Sequence, residues 1–142
     1  MTDLGHVEQM WASDEASRRL GITLEEVGVD ADGRGFARTR MAVAEPMVNG
    51  HDITHGGFVF TLADSTFALT CNASGRLTVA AGADIVFVTS TRLGDVLLAE
   101  GRERATYGRS GVTDVTVTRE SDGALVAEFR GRSRALPPRK DA

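Results

Sequence analysis

Asn49, His51, Asp52, His55, Gly56, Gly57 and Asp64 fall within one short stretch of the chain, and their types point to three different chemistries. His51 and His55 are four residues apart, the spacing at which two imidazoles on a helix grip zinc. Gly50, Gly56 and Gly57 flank them and no third strong ligand is near, so the pair reads first as loop histidines that bond backbone and orient a turn. Gly56 and Gly57 open a long apolar segment. The first turn of a helix has unpaired N–H groups and a positive dipole end, and glycine lets a ligand approach them closely, so this pair forms a natural clamp for a carbonyl or oxyanion.

Asp64 is the only charged residue from Phe58 to Cys71. A carboxylate on a buried helix is costly unless it is hydrogen-bonded or faces a wet cavity. One reading is a bond to loop backbone or to the neighbouring Ser65 and Thr66; the other is a general base or nucleophile, which a partly desolvated carboxylate suits. Two further nucleophiles fail on pattern. Ser110 sits in Gly108-Arg109-Ser110-Gly111-Val112, which lacks the last glycine of a nucleophile elbow. Cys71 lies four residues after Phe67 on an apolar helix face and reads as core.

These residues need elements to position them. Val7, Met10, Trp11 and Leu20 recur at roughly helical spacing before Gly21, predicting an amphipathic helix from His6 to Leu20. Ile22–Asp30 and Arg34–Val43 read as strands joined at Asp32-Gly33, with Ala37, Thr39, Met41 and Val43 on one face and Arg38 and Arg40 on the other. Ala44–Thr54 reads as a loop and Gly57–Ala73 as a buried helix, apolar over most of its circumference. Val79–Thr89, Val96–Tyr107, Val112–Arg119 and Ala124–Leu136 follow as strands, with turns at Leu93-Gly94-Asp95, Gly108–Gly111 and Asp122-Gly123. The expected fold class is α+β, with an antiparallel sheet packed on a central helix. A helix so apolar exceeds what one sheet face covers, which predicts a second subunit.

Distance points the same way. Gly56 and Asp64 are separated by about 12 Å of helix at 1.5 Å per residue, too far to meet at one carbonyl carbon. Across a two-fold axis the glycine end of one helix can meet the middle of its partner, so the site is expected to be shared between subunits.

Asn49, His55-Gly56-Gly57, Leu62-Ala63-Asp64 and Phe67-Ala68 together resemble the hotdog-fold acyl-CoA thioesterases, in the PaaI-like branch of phenylacetic acid degradation. The resemblance extends over nearly the whole chain, including Gly94-Asp95 and Gly131-Arg132-Ser133. It implies a single hotdog domain over residues 1–142, an antiparallel sheet wrapped around the long central helix, and a homo-oligomer: at least a dimer, extending to a dimer of dimers. The implied reaction is hydrolysis of an acyl-CoA thioester, aryl-acetyl esters included, without a metal or redox cofactor. In the implied roles the Gly56 N–H polarises the carbonyl and Asp64 of the facing chain attacks it or activates water. Asn49 positions carbonyl or water, His55 braces the loop and Gly57 adds to the substrate site. Arg109 and Ser110, with Arg132 behind them, are the implied contacts for the CoA phosphates. The chain departs from the pattern at Ala80, where a hydroxyl is usual, at Asp84, where a neutral polar residue is usual, and at Thr89-Ser90-Thr91-Arg92, which replaces Arg-Pro-Ala or Arg-Pro-Gly. A non-catalytic acyl-CoA or acyl-carrier binding module is the alternative function. A hydratase is disfavoured because no histidine follows Asp64.

Composition predicts a soluble protein. With 16 basic and 20 acidic residues the formal charge is -4, so nucleic-acid binding has no global electrostatic support. No apolar run approaches the roughly 20 residues of a membrane span. The start of the chain carries Asp3 and Glu8 with no apolar core of a signal peptide, and the single cysteine excludes an internal disulfide; both fit a cytoplasmic location. The tail, 137–142, is expected to fray.

Overall fold

The computed structural model describes residues 4–137, so Asp3 and nearly all of the expected frayed tail lie outside the described residues. The element order is α1 (Gly5–Ala12), α2 (Glu15–Arg19), β1 (Thr23–Val29), β2 (Gly35–Ala42), a 3-10 turn (Glu45–Met47), α3 (Gly56–Asn72), β3 (Thr78–Phe87), β4 (Val96–Tyr107), β5 (Ser110–Arg119) and β6 (Leu125–Ala135). The six strands form one antiparallel sheet in the order β1-β2-β4-β5-β6-β3. This is the expected α+β arrangement, a sheet curled around a long central helix. None of the described helices is long and apolar enough to cross a membrane.

Alternation places the core. Ala37, Thr39, Met41 and Val43 all point inward from the β2 side, and the matching inward rows of β4, β5 and β6 supply Leu97, Ala99, Val115, Val117, Ala127 and Phe129. Helix α3 lies so close to this face that three positions have no room for a side chain. A Cβ at Gly35 would lie 2.1 Å from the Thr70 carbonyl oxygen, one at Gly101 2.1 Å from Thr70 Oγ1, and one at Gly131 2.6 Å from the Phe67 ring. Thr39 Oγ1 and Thr66 Oγ1, 2.7 Å apart, bond across the same interface, and Thr66 also donates to the Leu62 carbonyl. At the far end Asn72 stitches the helix to β3, donating to the Ala68 and Thr78 carbonyls and accepting from the Thr78 amide.

Two expectations need correction. The single helix over His6–Leu20 is two, because Asp14 turns out of the helical path and caps a new helix, its carboxylate accepting from the Ser17 amide at 2.9 Å. The turn at Leu93-Gly94-Asp95 does not close a hairpin, since β3 lies at the sheet edge beside β6. Its link to β4 instead passes beneath the N-terminus of α3, bonding Val126 on the way and Val43 on arrival. The sheet does not cover α3 alone, since α1 and α2 also pack on it. A stripe of Gly57, Thr61, Asp64 and Ala68 stays partly open along the helix, as do Gly56, Phe58 and Phe60 in its first turns.

Candidate active site

The N-terminus of α3 is built by His55. Its backbone is extended, its amide donates to the Met47 carbonyl, and its ring Nδ1 accepts the Gly57 amide at 2.9 Å. The ring therefore carries no proton on Nδ1. This cap consumes the Gly57 N–H and leaves the Gly56 N–H with no acceptor among the described residues. Gly56 lines a cavity of about 370 Å³. Phe87 also lines it and lies against Gly56, so close that a Cβ at residue 56 would be 2.9 Å from its ring. A methyl group at residue 56 would therefore displace the half-exposed Phe87 ring.

Asn49 forms the second wall. Its Oδ1 accepts from the His51 amide at 2.9 Å and the Ile53 amide at 3.4 Å, closing a tight turn in which Asp52 takes a left-handed backbone, φ 66°. The side-chain NH₂ of Asn49 is left without a partner among the described residues, on a residue that lines the cavity. Thr89, Ser90 and Thr91 form the third wall. The Thr54 and Thr91 hydroxyls meet at 2.7 Å and the Thr54 amide donates to the Thr91 carbonyl, locking this wall to the loop before α3. The lining is thus polar at Asn49, Thr54 and Thr89–Thr91 and apolar at Val59, Phe87 and Val126.

Asp64 is absent from that lining and lies two turns further along α3, on the partly open stripe. No hydrogen bond or ion pair holds its carboxylate among the described residues, and its sequence neighbours are engaged elsewhere, Ser65 with Ser17 and Thr66 with Thr39. Burial pushes its proton affinity above the ordinary aspartate range, and the negative charge of Asp14 pushes it further the same way. The chain thus presents an unpaired amide and an unpaired carboxylate that do not meet within one copy.

The remaining candidates are scattered. Arg109 and Ser110 sit at the β4–β5 turn by a small cavity that Cys71 and Arg76 also line, at the opposite end of α3 from Gly56. Arg132 is paired with Asp84 at 2.9 Å on the outer sheet surface, which gives Asp84 a structural partner. His51 contributes its backbone to the Asn49 turn. Burial, with Glu103 nearby, pushes the Cys71 thiol up to about 12, which keeps it protonated and unreactive at neutral pH. The sequence reading missed Phe87 and the Thr54–Thr91 tie as parts of this site. Thr89–Thr91 stood out only as a departure from a pattern, and nothing local marks Phe87 as the residue that folds back over a glycine.

The thioesterase superfamily pattern matches residues 51–126, more than half of the chain. Acyl-coenzyme A thioesterase PaaI of Escherichia coli (strain K12) is 35% identical over 127 residues, covering 89% of this chain and 86% of that protein. The solved structure of the E. coli PaaI protein from the phenylacetic acid degradation operon superposes with a TM-score of 0.85 at 33% identity, over 95% of this chain and 97% of that one. A Streptococcus mutans UA159 protein solved bound to acetyl CoA has a TM-score of 0.70 at 28% identity, over 82% of this chain and 93% of the other.

Proposed function

The chain belongs to the thioesterase superfamily and has its hotdog fold, and from that premise we propose that it hydrolyses acyl-CoA thioesters at a site shared by two copies. The observation that carries the reading is the pair of unmet groups: the Gly56 N–H open to a cavity, and the Asp64 carboxylate without a partner on the stripe that the chain leaves uncovered. About 12 Å of helix separates them in one chain. Packing the open stripes of two copies together would bring each amide to the other copy's carboxylate.

In this reading the thioester carbonyl oxygen accepts from the Gly56 N–H, with the positive end of α3 behind it, so the charge that develops on oxygen is met by a donor already in place. The unpartnered Asn49 NH₂ orients the carbonyl or the attacking water. Asp64 of the facing copy takes the proton of the water that attacks the carbonyl carbon, or attacks it directly to give an acyl–Asp64 anhydride that water then hydrolyses; in either route the C–S bond breaks and the CoA thiolate is protonated. Thioesters have weak carbonyl resonance and a good leaving group, so a carboxylate and an amide clamp suffice without a triad. A cavity of about 370 Å³ with Val59, Phe87 and Val126 in its lining suits a compact acyl group, a phenylacetyl-type ring included.

The named relatives support this reading through acyl-CoA hydrolysis by E. coli PaaI and acetyl CoA in the S. mutans structure. Thiol release from a panel of acyl-CoAs tests it. The native protein is expected to turn over at least one aryl-acetyl or short-chain ester, and Asp64→Asn to lose that activity. Equal turnover by both proteins, or saturable binding without hydrolysis, overturns the assignment.

A further inference from the structure

The break between α1 and α2 does more than bend the chain. Asp14, at the break, accepts from the Ser17 amide through Oδ1 at 2.9 Å and bonds the Ser17 hydroxyl through Oδ2 at 2.6 Å. Ser17 is 1% exposed, and its hydroxyl also lies 2.7 Å from Ser65 Oγ on α3. An ionised carboxylate only accepts, so the Ser17 O–H donates to Asp14 and the Ser65 O–H donates to Ser17. The direction of the whole relay is therefore fixed by the charge at its end. It terminates on the residue next to Asp64, and its anion lies within electrostatic reach of the Asp64 carboxylate.

We propose that the Asp14–Ser17–Ser65 relay fixes the N-terminal helix pair against α3 as the wall beside Asp64, and that Asp14 is a positioning residue for that carboxylate. The inference rests on Asp64 being the reactive acid. A hydrogen-bonded tie one residue away sets the rotation of α3 where Asp64 projects. A fixed anion beside Asp64 disfavours its ionised form, leaving it the stronger proton acceptor once ionised.

Other charges on the packed elements are engaged or face elsewhere. On α2, Glu15 pairs with Arg18 and Arg19. His6 of α1 bonds Asn72, two turns beyond Asp64, and Glu8 is exposed. Glu25 and Glu26 of β1 pair with Arg40 and Arg38 of β2. The inward Glu103 of β4 accepts from the Gly35 amide near the far end of α3. Asp84 with Arg132 and Asp114 with Arg130 occupy the outer surface of β3, β5 and β6.

The test compares the native protein with Asp14→Asn, Asp14→Ser, Ser17→Ala and Asp64→Asn. Both Asp14 variants keep a helix-capping oxygen and remove the charge. Two readouts are needed: the carboxyl ¹³C NMR titration of Asp64, and the pH profile of kcat/KM on the best acyl-CoA of the panel. Either neutral variant is expected to move the Asp64 titration and the acidic limb of the profile together to lower pH. Ser17→Ala is expected to lower kcat roughly tenfold with KM retained, the mark of a misplaced reacting group. An Asp64 titration unmoved in both neutral variants overturns the proposal, whatever the activities. An active Asp64→Asn protein instead overturns the functional reading, and the titration of Asp64 in the Asp14 variants still decides whether the Asp14 charge acts on it.

Discussion

Desolvated carboxylates carry a cost that the rest of the fold must offset, and Asp64 makes that cost measurable. Its proton affinity is higher in the folded chain than in the unfolded one. The folded state therefore binds more protons between the two values, and stability falls as pH rises through that window. The deficit is absent below the ordinary aspartate range and complete above the folded value. Asp64→Asn is thus expected to melt at a higher temperature than the native protein at neutral pH, an advantage that closes in acid, while activity drops by about 10²–10⁴-fold. Scanning calorimetry across pH, set beside the thiol-release assay, checks both halves. A second prediction separates the Gly56 amide from the space around it. Residue 56 is the first residue of α3, where proline is tolerated, and His55 before it is extended as a residue preceding proline must be. Gly56→Pro and Gly56→Ala both press on the exposed Phe87 ring, but only the first removes the N–H. Turnover is expected to fall about 10²-fold further in Gly56→Pro than in Gly56→Ala. At this scale the sequence was informative, because one charged residue in an apolar helix and a glycine pair at its start are conspicuous. Asp14 was not legible: its role arises only when the helix breaks and the carboxylate swings toward α3. The one available cue was an N-cap residue set three places before a serine.

Among the elements, the closest packing lies between α3 and the sheet, where Gly35, Gly101 and Gly131 leave the helix no clearance. Gly131→Ala would drive a methyl group to 2.6 Å from the Phe67 ring, itself buried against Phe129. Overpacking of this kind costs about 1–3 kcal/mol. Urea denaturation is expected to show that loss with an unchanged m-value, whereas an unchanged midpoint would mean that the helix rides further from the sheet. Strands and helix were readable from periodicity, since alternation and the helical stripe are local properties of the chain. The placement of β3 was not. A turn sequence reports that the chain reverses, and whether the next strand becomes a neighbour depends on which edge is free. Here β6 occupies the place beside β5 and β3 pairs outside it.

For the molecule as a whole, the separation of Gly56 from Asp64 makes a prediction about stoichiometry. If each site joins the amide of one copy to the carboxylate of another, mixing Asp64→Asn with Gly56→Pro and allowing subunits to exchange regenerates sites with both native groups. Half of the dimers are then mixed and each holds one intact site, so activity is expected to recover to about one quarter of the native level. A site complete within one copy gives no recovery. Light scattering on the native protein is expected to return at least twice the mass of one chain.

The order of pairing in the sheet also bears on when the enzyme comes into being. Among the described residues the edge strand that leads into Phe87 and the Thr89–Thr91 wall has a single neighbour, and that neighbour is the last of the six described strands to be synthesised. While a ribosome is still adding residues before Leu125, this wall has nothing to zip onto. Competence should therefore arrive abruptly once Leu125–Ala135 has been made, and deleting that strand should unseat a substrate cleft formed by residues dozens of positions upstream.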